Sequence, residues 1–519
     1  MDRYVIGCDS AYIFYIIYLD NLYGIGTIGW MTGKMKGNDD LIESINRQKL
    51  SGFHYKTWLI SGVGFFTDAY DLFIIGVVLK MLPLAGWNPL DTADKALIAS
   101  TALLSAVIGA SVFGALLDRF GRKSVYGINL VILIGGALGS AFLTPVNGVF
   151  SLILWRFILG VGIGGDYAIS STIMSEYSNT KNRGRLVGMV FSMQSLGLLA
   201  GPLFALGAIY SGISLAISWR ILLAIGAVPA LMVVYWRTKL PETPKYTIFV
   251  KGDTEKAARD WKRVSGEDIK NMNGVRSHKL RWTTIFTNRK FLTTLVGTAG
   301  TWFLMDWALY GNSIMSHTML RVLVPEGVSP LSSLTLTTIY SAMIFGIAAF
   351  PGYWLATFTL DRIGRKPIQL TGFMAMTITY LVLGIFTFLM NPEYVVEFLV
   401  IYGMSFFFIE FGPNVTTFIY PPEVFPTSLR GLGTGISAAG GKTGAFIGTA
   451  LNIVLISIIG ESGLFLVLAG LSAIGFMMTL FMLPETKGVD IEKITGEDGG
   501  SGSEDLSSGI KKPQAIIGK

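Results

Sequence analysis

Apolar residues fall into twelve long runs that are separated by short polar stretches. The runs cover residues 57–82, 95–117, 124–143, 148–177, 184–212, 216–238, 291–320, 331–359, 367–389, 394–420, 429–458 and 461–483. Most are close to the ~20 residues that an α-helix needs to cross a bilayer. The pattern therefore predicts an all-α membrane protein with twelve transmembrane helices.

The distribution of charge predicts an orientation. Lys and Arg concentrate in the loops after the even-numbered runs, and the loops after the first, third, ninth and eleventh runs carry almost none. Cytoplasmic loops are enriched in these residues, so both termini are predicted to be cytoplasmic. The same pattern accounts for the net charge of +7 without nucleic acid as a partner. Cys8 is the single cysteine and the three histidines are scattered, so no metal or cofactor is expected.

The two halves of the chain repeat each other. DRFGRK begins at Asp118 and DRIGRK at Asp361, 243 residues later, and LPET recurs with the same offset at residues 240 and 483. A glutamate followed seven residues later by Arg-Gly also recurs, as Glu176 with Arg183 and as Glu423 with Arg430. Two parallel six-helix halves are typical of one large class of transporters, which bind substrate near the midplane between the halves.

These features divide the chain into five regions. They are an N-terminal extension with an amphipathic segment (1–55), a six-helix bundle (56–238), a cytoplasmic linker (239–290), a second six-helix bundle (291–483) and a disordered cytoplasmic tail (484–519). The aromatic stretch 4–31 has two readings that stay open. It is either an interfacial or additional helix, or it lies upstream of a true start near Met35.

Charged residues inside the apolar runs mark candidate functional positions. Ionisable groups at that depth usually face a bundle interior or a water-filled path. The candidates are Asp68 and Asp71 on one face of the first run, Arg156, Asp166 and Glu176 in the fourth, and Asp306 in the seventh, where Trp302 and Tyr310 share its face. Two nucleotide-like motifs, residues 160–165 and GGKTG at 440–444, lack the context or spacing of phosphate loops. Gly160 and Gly164 instead predict a close approach of two helices.

Four stretches resemble a known family. They are GFFTDAYDLF (64–73), GGDYAISSTIMSEYS (164–178), WFLMDWALY (302–310) and FGPNVTTFIYPPEVFP (411–426). These stretches are similar to the phosphate:proton symporters of the major facilitator superfamily, including the high-affinity phosphate transporters of plants and fungi, from about Phe53 to Thr486. The resemblance implies the major facilitator fold, with transport of inorganic phosphate and protons.

The resemblance also implies roles for particular residues. The substrate-binding set is Tyr167, Gln194, Trp302, Asp306, Tyr310, Asn414 and Lys442. The predicted proton-coupling set is Asp68, Asp71, Arg156, Asp166 and Glu410, of which the resemblance assigns Asp71 and Asp166 to the proton path. The gating network, in which the aspartates accept hydrogen bonds from arginines and from helix ends of the other half, is Asp118, Arg122, Glu176, Arg183, Asp361, Arg365, Glu423 and Arg430.

Three positions depart from the family pattern. Glu410 stands where relatives usually have a neutral amide, Ala168 follows GGDY in place of proline, and Asn129 replaces an acidic residue of fungal members. Glu410 lies one turn before Asn414 on the same helix face, and Lys442 lies on the next predicted segment. We therefore expect Glu410 to pair with Lys442 in the substrate-free protein.

The function predicted from the sequence is proton-coupled symport of inorganic phosphate across the cell membrane by alternating access. A porter for an organic phosphate or carboxylate is an alternative on the same fold, and a phosphate sensor is another. No enzyme is predicted, because no catalytic constellation, metal cluster or nucleotide loop is found. The expected partners are phosphate, protons and the lipid bilayer, and the oligomeric state is left open.

Overall fold

The computed structural model describes residues 40–266, 279–314 and 320–497. The stretch 4–31 and the tail from residue 498 lie outside this part of the chain. Within it the regular structure is helical, with no strand. The side chains that point into the two bundles are apolar over most of each helix, so the core runs through both bundles.

The described part of the first half, residues 40–266, contains eleven helices. They are α1 (Asp40–Arg47), α2 (Gly52–Met81), α3 (Thr92–Phe120), α4 (Arg122–Val125), α5 (Ile128–Phe142), α6 (Val149–Tyr177), α7 (Arg183–Tyr210), α8 (Leu215–Ile225), α9 (Ala227–Lys239), α10 (Pro244–Phe249) and α11 (Thr254–Ser265). Helices α8 and α9 together form one apolar segment, Leu215–Lys239.

Nine more helices lie in the described residues 279–314 and 320–497 of the second half. They are α12 (Thr284–Thr287), α13 (Arg289–Ile314), α14 (Pro330–Ile344), α15 (Phe350–Ile363), α16 (Arg365–Ile385), α17 (Val395–Ile409), α18 (Val415–Val424), α19 (Arg430–Met482) and α20 (Ile491–Thr495). One-turn π-helices, Phe345–Ala349 and Glu410–Asn414, join α14 to α15 and α17 to α18, and short 3₁₀ turns lie at Pro83–Ala85, Leu320–Leu323, Thr387–Met390 and Pro392–Tyr394.

Ten segments of the described chain are long and apolar enough to cross a membrane. Two further predicted crossings are α13 and the first part of α19, whose polar residues lower their hydropathy. Helix α19 is divided at Gly460, where a φ of 71° breaks the helical path, and this places a boundary between the predicted runs 429–458 and 461–483. The twelve-helix, two-bundle architecture expected from the sequence is present.

Glycines set the closest helix contacts. A side chain at Gly160 or Gly164 of α6 would collide with backbone atoms of α3, so the predicted close approach is observed. A side chain at Gly441 would strike the ring of Trp302, and one at Gly444 would strike the backbone of Phe303. The glycines of GGKTG therefore let α19 lie directly against α13, which brings Lys442 beside Asp306.

The prediction of a disordered tail from residue 484 is wrong for its first part. Residues 484–497 cross one face of the protein and contain α20. Lys245 of α10 pairs with Glu492 at 2.8 Å, and Thr427 donates its backbone N–H to Glu497 at 2.8 Å. These partners lie far away in sequence, so composition alone did not reveal them.

Candidate functional site

A buried ion pair lies where the two bundles meet. Lys442 of α19 donates from Nζ to Asp306 Oδ2 at 3.0 Å and to the hydroxyl of Tyr310 at 2.8 Å. The same ammonium lies 4.0 Å from the ring centre of Tyr167 and 4.2 Å from that of Tyr310. All four side chains are at most 2% exposed. The cation is therefore held by one carboxylate and two aromatic faces.

A chain of hydrogen bonds leads from this pair through both bundles. The hydroxyls of Tyr167 and Tyr310 are 3.0 Å apart, and Gln194 Nε2 donates to Tyr167 at 2.6 Å. Tyr353 donates to Gln194 Oε1 at 3.2 Å and accepts from Asn414 Nδ2 at 2.7 Å. Six of the seven predicted substrate-binding residues thus belong to one connected network.

Trp302 is the seventh, and it completes the wall of the site. Its ring lies 5.9 Å from that of Tyr167 and 6.4 Å from that of Phe418. Its indole N–H interacts with the Asp306 carboxylate, although neither the indole nitrogen nor Asp306 Oδ1 makes a hydrogen bond of good geometry. This donor and acceptor are therefore poorly satisfied at the centre of the protein, where unpaired polar groups are costly.

Glu410 does not pair with Lys442, so that prediction is wrong. In the described residues the carboxylate partner of Lys442 is Asp306, and Glu410 Oε2 accepts from Asn414 Nδ2. The π-turn Glu410–Asn414 brings these two side chains together. Asp306 lies on the neighbouring helix α13 and neutralises the Lys442 ammonium. Glu410 is connected to that ammonium through the hydrogen-bond chain that begins at Asn414.

A second buried ion pair lies within the first bundle. Arg237 of α9 grips Asp166 through two hydrogen bonds, both 2.7 Å, and Ser170 donates to the same carboxylate at 2.7 Å. Asp68 is also buried, and neither of its oxygens has a hydrogen-bond partner. Within the predicted proton-coupling set, Asp166 is therefore neutralised by an arginine, whereas Asp68 has no hydrogen-bond partner.

Asp71 and Arg156 are buried close together without a direct ion pair among the described residues. Arg156 donates from Nε to the backbone oxygen of Ile98 at 3.0 Å and from Nη1 to that of Asp71 at 3.3 Å. The carboxylate of Asp71 lies against Gly226, at the break between α8 and α9, where any larger residue would collide with it. One guanidinium nitrogen and one carboxylate oxygen are left without partners.

The predicted gating residues form two matching clusters on one face, which we call the DRxGRK face. In the first, Arg122 donates to Glu176 at 3.1 and 2.7 Å, and Arg430 of the other half donates to Glu176 at 3.0 Å. Asp118 accepts the backbone N–H groups of Gly431 and Leu432 at 3.0 and 2.8 Å, at the start of α19. A carboxylate at a helix N-terminus is a favourable arrangement.

The second cluster repeats the first with the halves exchanged. Arg365 donates to Glu423 at 3.1 and 2.7 Å, and Arg183 of the first half donates to Glu423 at 2.8 Å. Asp361 accepts the backbone N–H groups of Gly184 and Arg185 at 3.0 and 2.8 Å, at the start of α7. The two clusters join the halves by buried, charge-assisted hydrogen bonds, which close this face.

Sequence reasoning missed several members of these sites. Arg237 lies inside the predicted apolar run 216–238, and neither it nor Tyr353 belongs to a motif that singles it out. The repeated LPET motif did contain a usable signal: Glu242 and Glu485 each accept backbone N–H groups of the DRxGRK turns, and Thr243 and Thr486 donate to Glu176 and Glu423. Among the described residues, no group of three or more His, Cys, Asp or Glu is suited to a metal ion.

Comparison with known proteins identifies similar sequences over most of the chain. A family model described as "Sugar (and other) transporter" matches residues 57–497. The probable inorganic phosphate transporter 1-12 of Oryza sativa subsp. japonica is 36% identical, and the match covers 90% of this chain and 96% of that protein. The low affinity inorganic phosphate transporter 4 of Medicago truncatula is 35% identical over 89% of this chain and 95% of its own.

Solved structures with a similar backbone include two of a xylose transporter. The proton:xylose symporter XylE bound to 6-bromo-6-deoxy-D-glucose has a TM-score of 0.71 and 20% identity, and covers 85% of this chain and 98% of its own. The partially occluded inward open conformation of XylE from E. coli has a TM-score of 0.65 and 19% identity. That match covers 84% of this chain and 99% of the XylE chain. At this level of identity the likeness concerns the fold alone.

Proposed function

The chain belongs to the sugar (and other) transporter family and has the major facilitator fold, and we propose that it carries inorganic phosphate across the cell membrane together with protons. The observation that carries the proposal is the buried network around Lys442 and Asp306, between the two bundles. The relatives named as inorganic phosphate transporters support the choice of substrate.

The chemistry of the network suits a small oxyanion. Phosphate offers several acceptor oxygens, and Lys442, Tyr167, Tyr310, Gln194 and Asn414 are donors or carry hydroxyl hydrogens. Trp302 adds a donor whose contact with Asp306 in the free site is poorly aligned. Asp306 Oδ1, which makes no well-aligned hydrogen bond, suits the hydroxyl hydrogen of H₂PO₄⁻. A site with one ammonium and no arginine holds the anion without the strongest bidentate contacts, which favours release.

The buried carboxylates of the first bundle support proton coupling. Asp68 has no hydrogen-bond partner and Asp71 retains an unpaired oxygen. A carboxylate charge in such surroundings is costly, so these groups are suited to take up and release a proton. Arg237 already neutralises Asp166 in this conformation, so we propose that Asp166 exchanges a proton only when that pair opens.

The two clusters of the DRxGRK face support alternating access as the transport mechanism. We propose that this face is cytoplasmic, as the distribution of Lys and Arg predicts, and that its clusters lock it while the opposite face opens. The buried substrate-binding residues are at most 2% exposed, which fits a conformation with the site closed off.

The test is uptake of labelled phosphate by purified protein in liposomes with an imposed pH gradient, with an internal dye reporting protons. We expect accumulation that requires the gradient, and loss of uptake in Lys442→Gln. Lys493→Gln, an exposed charge change, serves as the matched control.

Competition by unlabelled arsenate, glycerol phosphate and xylose defines the substrate class. Inhibition by arsenate alone supports the proposal. Inhibition of phosphate uptake by glycerol phosphate would instead favour an organic phosphate porter. Binding of phosphate without any flux would favour a sensor.

A further inference from the structure

A positively charged cavity lies at the face opposite the DRxGRK turns, which we call the far face. Its volume is about 330 Å³, and its lining includes Lys80, Arg321, Ser333 and Thr337. Lys80 ends α2 of the first half, whereas Arg321 and the start of α14 belong to the second half. The cavity therefore spans the seam between the bundles.

Two cations, Lys80 and Arg321, line the cavity, and Lys95 lies near Lys80 outside the lining. Lys95 and Arg321 both lie within electrostatic range of Lys80, and within the described chain none of the three forms an ion pair. Lys80 and Arg321 are exposed. Glu326 lines an adjoining cavity of about 610 Å³ with Arg321 but does not pair with it in the described structure. Like charges repel at this range, so the cluster needs a compensating anion.

The rest of the lining has the donors that an oxyanion requires. Arg321 donates to the hydroxyl of Ser333, which fixes the guanidinium at the cavity wall. Pro330 is the first residue of α14, a 15-residue helix, and Ser333 and Leu334 follow in its first turn. Ser329 already caps this helix by accepting the backbone N–H of Ser332, so the helix adds its dipole to the two side-chain charges but not a free cradle of N–H groups.

The cavity lies on the path to the central site. One turn below Lys80 on α2, a side chain at Gly76 would meet the backbone oxygen of Ile314 at 2.5 Å. Below that, Phe73 stacks on Tyr310 with ring centres 5.0 Å apart, and Tyr310 contacts Lys442. The helix contact and the stacked rings separate the cavity from the central site, in the position of a closed gate.

We propose that this cavity is a capture site for a small oxyanion, which binds there before the far face opens to the central site. The inference rests on the proposed function, because its ligand is the transported phosphate itself. Clefts lined by one sign of charge raise the local concentration of a counter-ion and its association rate. The capture site therefore lowers the KM for phosphate and leaves the maximal rate of transport unchanged.

The test compares Lys80→Gln and Arg321→Gln with wild type in the same liposomes, at several phosphate concentrations and two salt concentrations. We expect a KM for phosphate that rises severalfold in each variant, an unchanged maximal rate and a weaker dependence of KM on salt. The charge-conserving variants Lys80→Arg and Arg321→Lys should retain most of the wild-type affinity. Arg220→Gln removes a cation that lies outside the cavity and should behave as wild type.

The outcomes separate this inference from the proposed function. If wild type transports phosphate and the two Gln variants keep its KM and salt dependence, the capture site is rejected and the proposed function stands. If wild type does not transport phosphate, both are rejected. Equal losses of maximal rate in Gln and charge-conserving variants would assign these residues a structural role and also reject the capture site.

Discussion

At the scale of single residues, the poorly paired polar atoms are the most informative. Trp302 Nε1 and Asp306 Oδ1 are buried and interact with poor geometry, although their neighbours are connected in a continuous hydrogen-bond chain. Buried polar groups are paired in most proteins, so such exceptions need an explanation. A bound oxyanion with a hydroxyl hydrogen would satisfy both.

Trp302→Phe is expected to weaken phosphate binding without reducing stability. The substitution keeps the aromatic ring and removes the indole donor, whose contact with Asp306 in the free protein is poorly aligned. An acceptor oxygen of the anion would then lose its donor, at about 1–3 kcal/mol. Equilibrium binding of labelled phosphate and thermal unfolding in detergent measure the two effects. An unchanged dissociation constant would assign Trp302 to packing.

Asp166→Asn and Arg237→Gln are each expected to destabilise the protein by about 3–5 kcal/mol, because each leaves a buried charge unpaired. The double variant should recover part of that loss, since it leaves no isolated charge. Thermal unfolding of the four proteins measures the coupling. Additive losses would show that the two groups do not depend on each other. Transport by Asp166→Asn is best interpreted beside the double variant, because the single variant also perturbs Arg237.

At the scale of elements, the short helices outside the membrane connect parts that are distant in sequence. Helices α1, α10 and α11 share a small apolar cluster that includes Ile45, Phe249 and Trp261. Lys245 of α10 binds both Asn46 and Glu492, at 3.0 and 2.8 Å. The linker and the C-terminal segment therefore form one layer across the DRxGRK face.

Glu492→Gln is expected to loosen the C-terminal segment. Burial raises the pKa of this carboxyl, but the Lys245 ammonium and hydrogen bonds from Lys245 and Asn46 outweigh it and hold the pKa at about 2. A carboxylate whose pKa is lowered by folding stabilises the folded state fully when the pH is above the pKa it has in the unfolded chain. This stabilisation is lost as the pH falls towards about 2. The tether should therefore be insensitive to pH between about 5 and 8.

Limited proteolysis of residues 484–497 measures this effect. Glu492→Gln should be cleaved faster than wild type at neutral pH, with Lys493→Gln as the exposed control. Equal cleavage of wild type and Glu492→Gln would show that the ion pair does not hold the segment. A strong change in wild-type cleavage between pH 5 and 8 would contradict the pH argument.

At the scale of the whole molecule, the halves are joined by two clusters that share one design. Each has an aspartate on the N-terminus of a helix in the other half and a glutamate between two arginines. The clusters share these core contacts with the halves exchanged, so the lock has an approximate internal two-fold symmetry, although Arg430 also approaches Glu497 and Arg183 donates to backbone oxygens of the C-terminal segment. Opening this face requires both clusters to separate.

Asp118→Asn and Asp361→Asn are each expected to open the DRxGRK face, and to a similar extent. An amide accepts helix N–H groups without the charge that favours this position. The measurement is the labelling rate of a cysteine placed at buried Thr434, one turn behind Arg430, in a Cys8→Ser background. Labelling should accelerate in both variants and stay slow in the exposed control Glu43→Gln. Acceleration in only one variant would reject the symmetric lock.

The sequence by itself determined the architecture and much of the lock. A bilayer demands long apolar helices, so the run lengths gave the crossings. The 243-residue offset of the DRxGRK and LPET motifs implied equivalent contacts in both halves, because equal sequences fold into equal local structures. The family resemblance led to Lys442, Asp306 and their aromatic neighbours, and the structure brings all seven predicted substrate-binding residues to one place. Their role in binding stays a prediction.

Only the tertiary structure decided which charge meets which. Lys442 pairs with Asp306 and not with Glu410, Arg237 grips Asp166, and Glu492 fixes a tail whose composition predicted disorder. Each of these pairs joins residues on different helices. Periodicity reports the face on which a side chain lies within its own helix, but the rotation and depth of the neighbouring helix set its partner. Those were fixed here by close contacts at glycines such as Gly441 and Gly226.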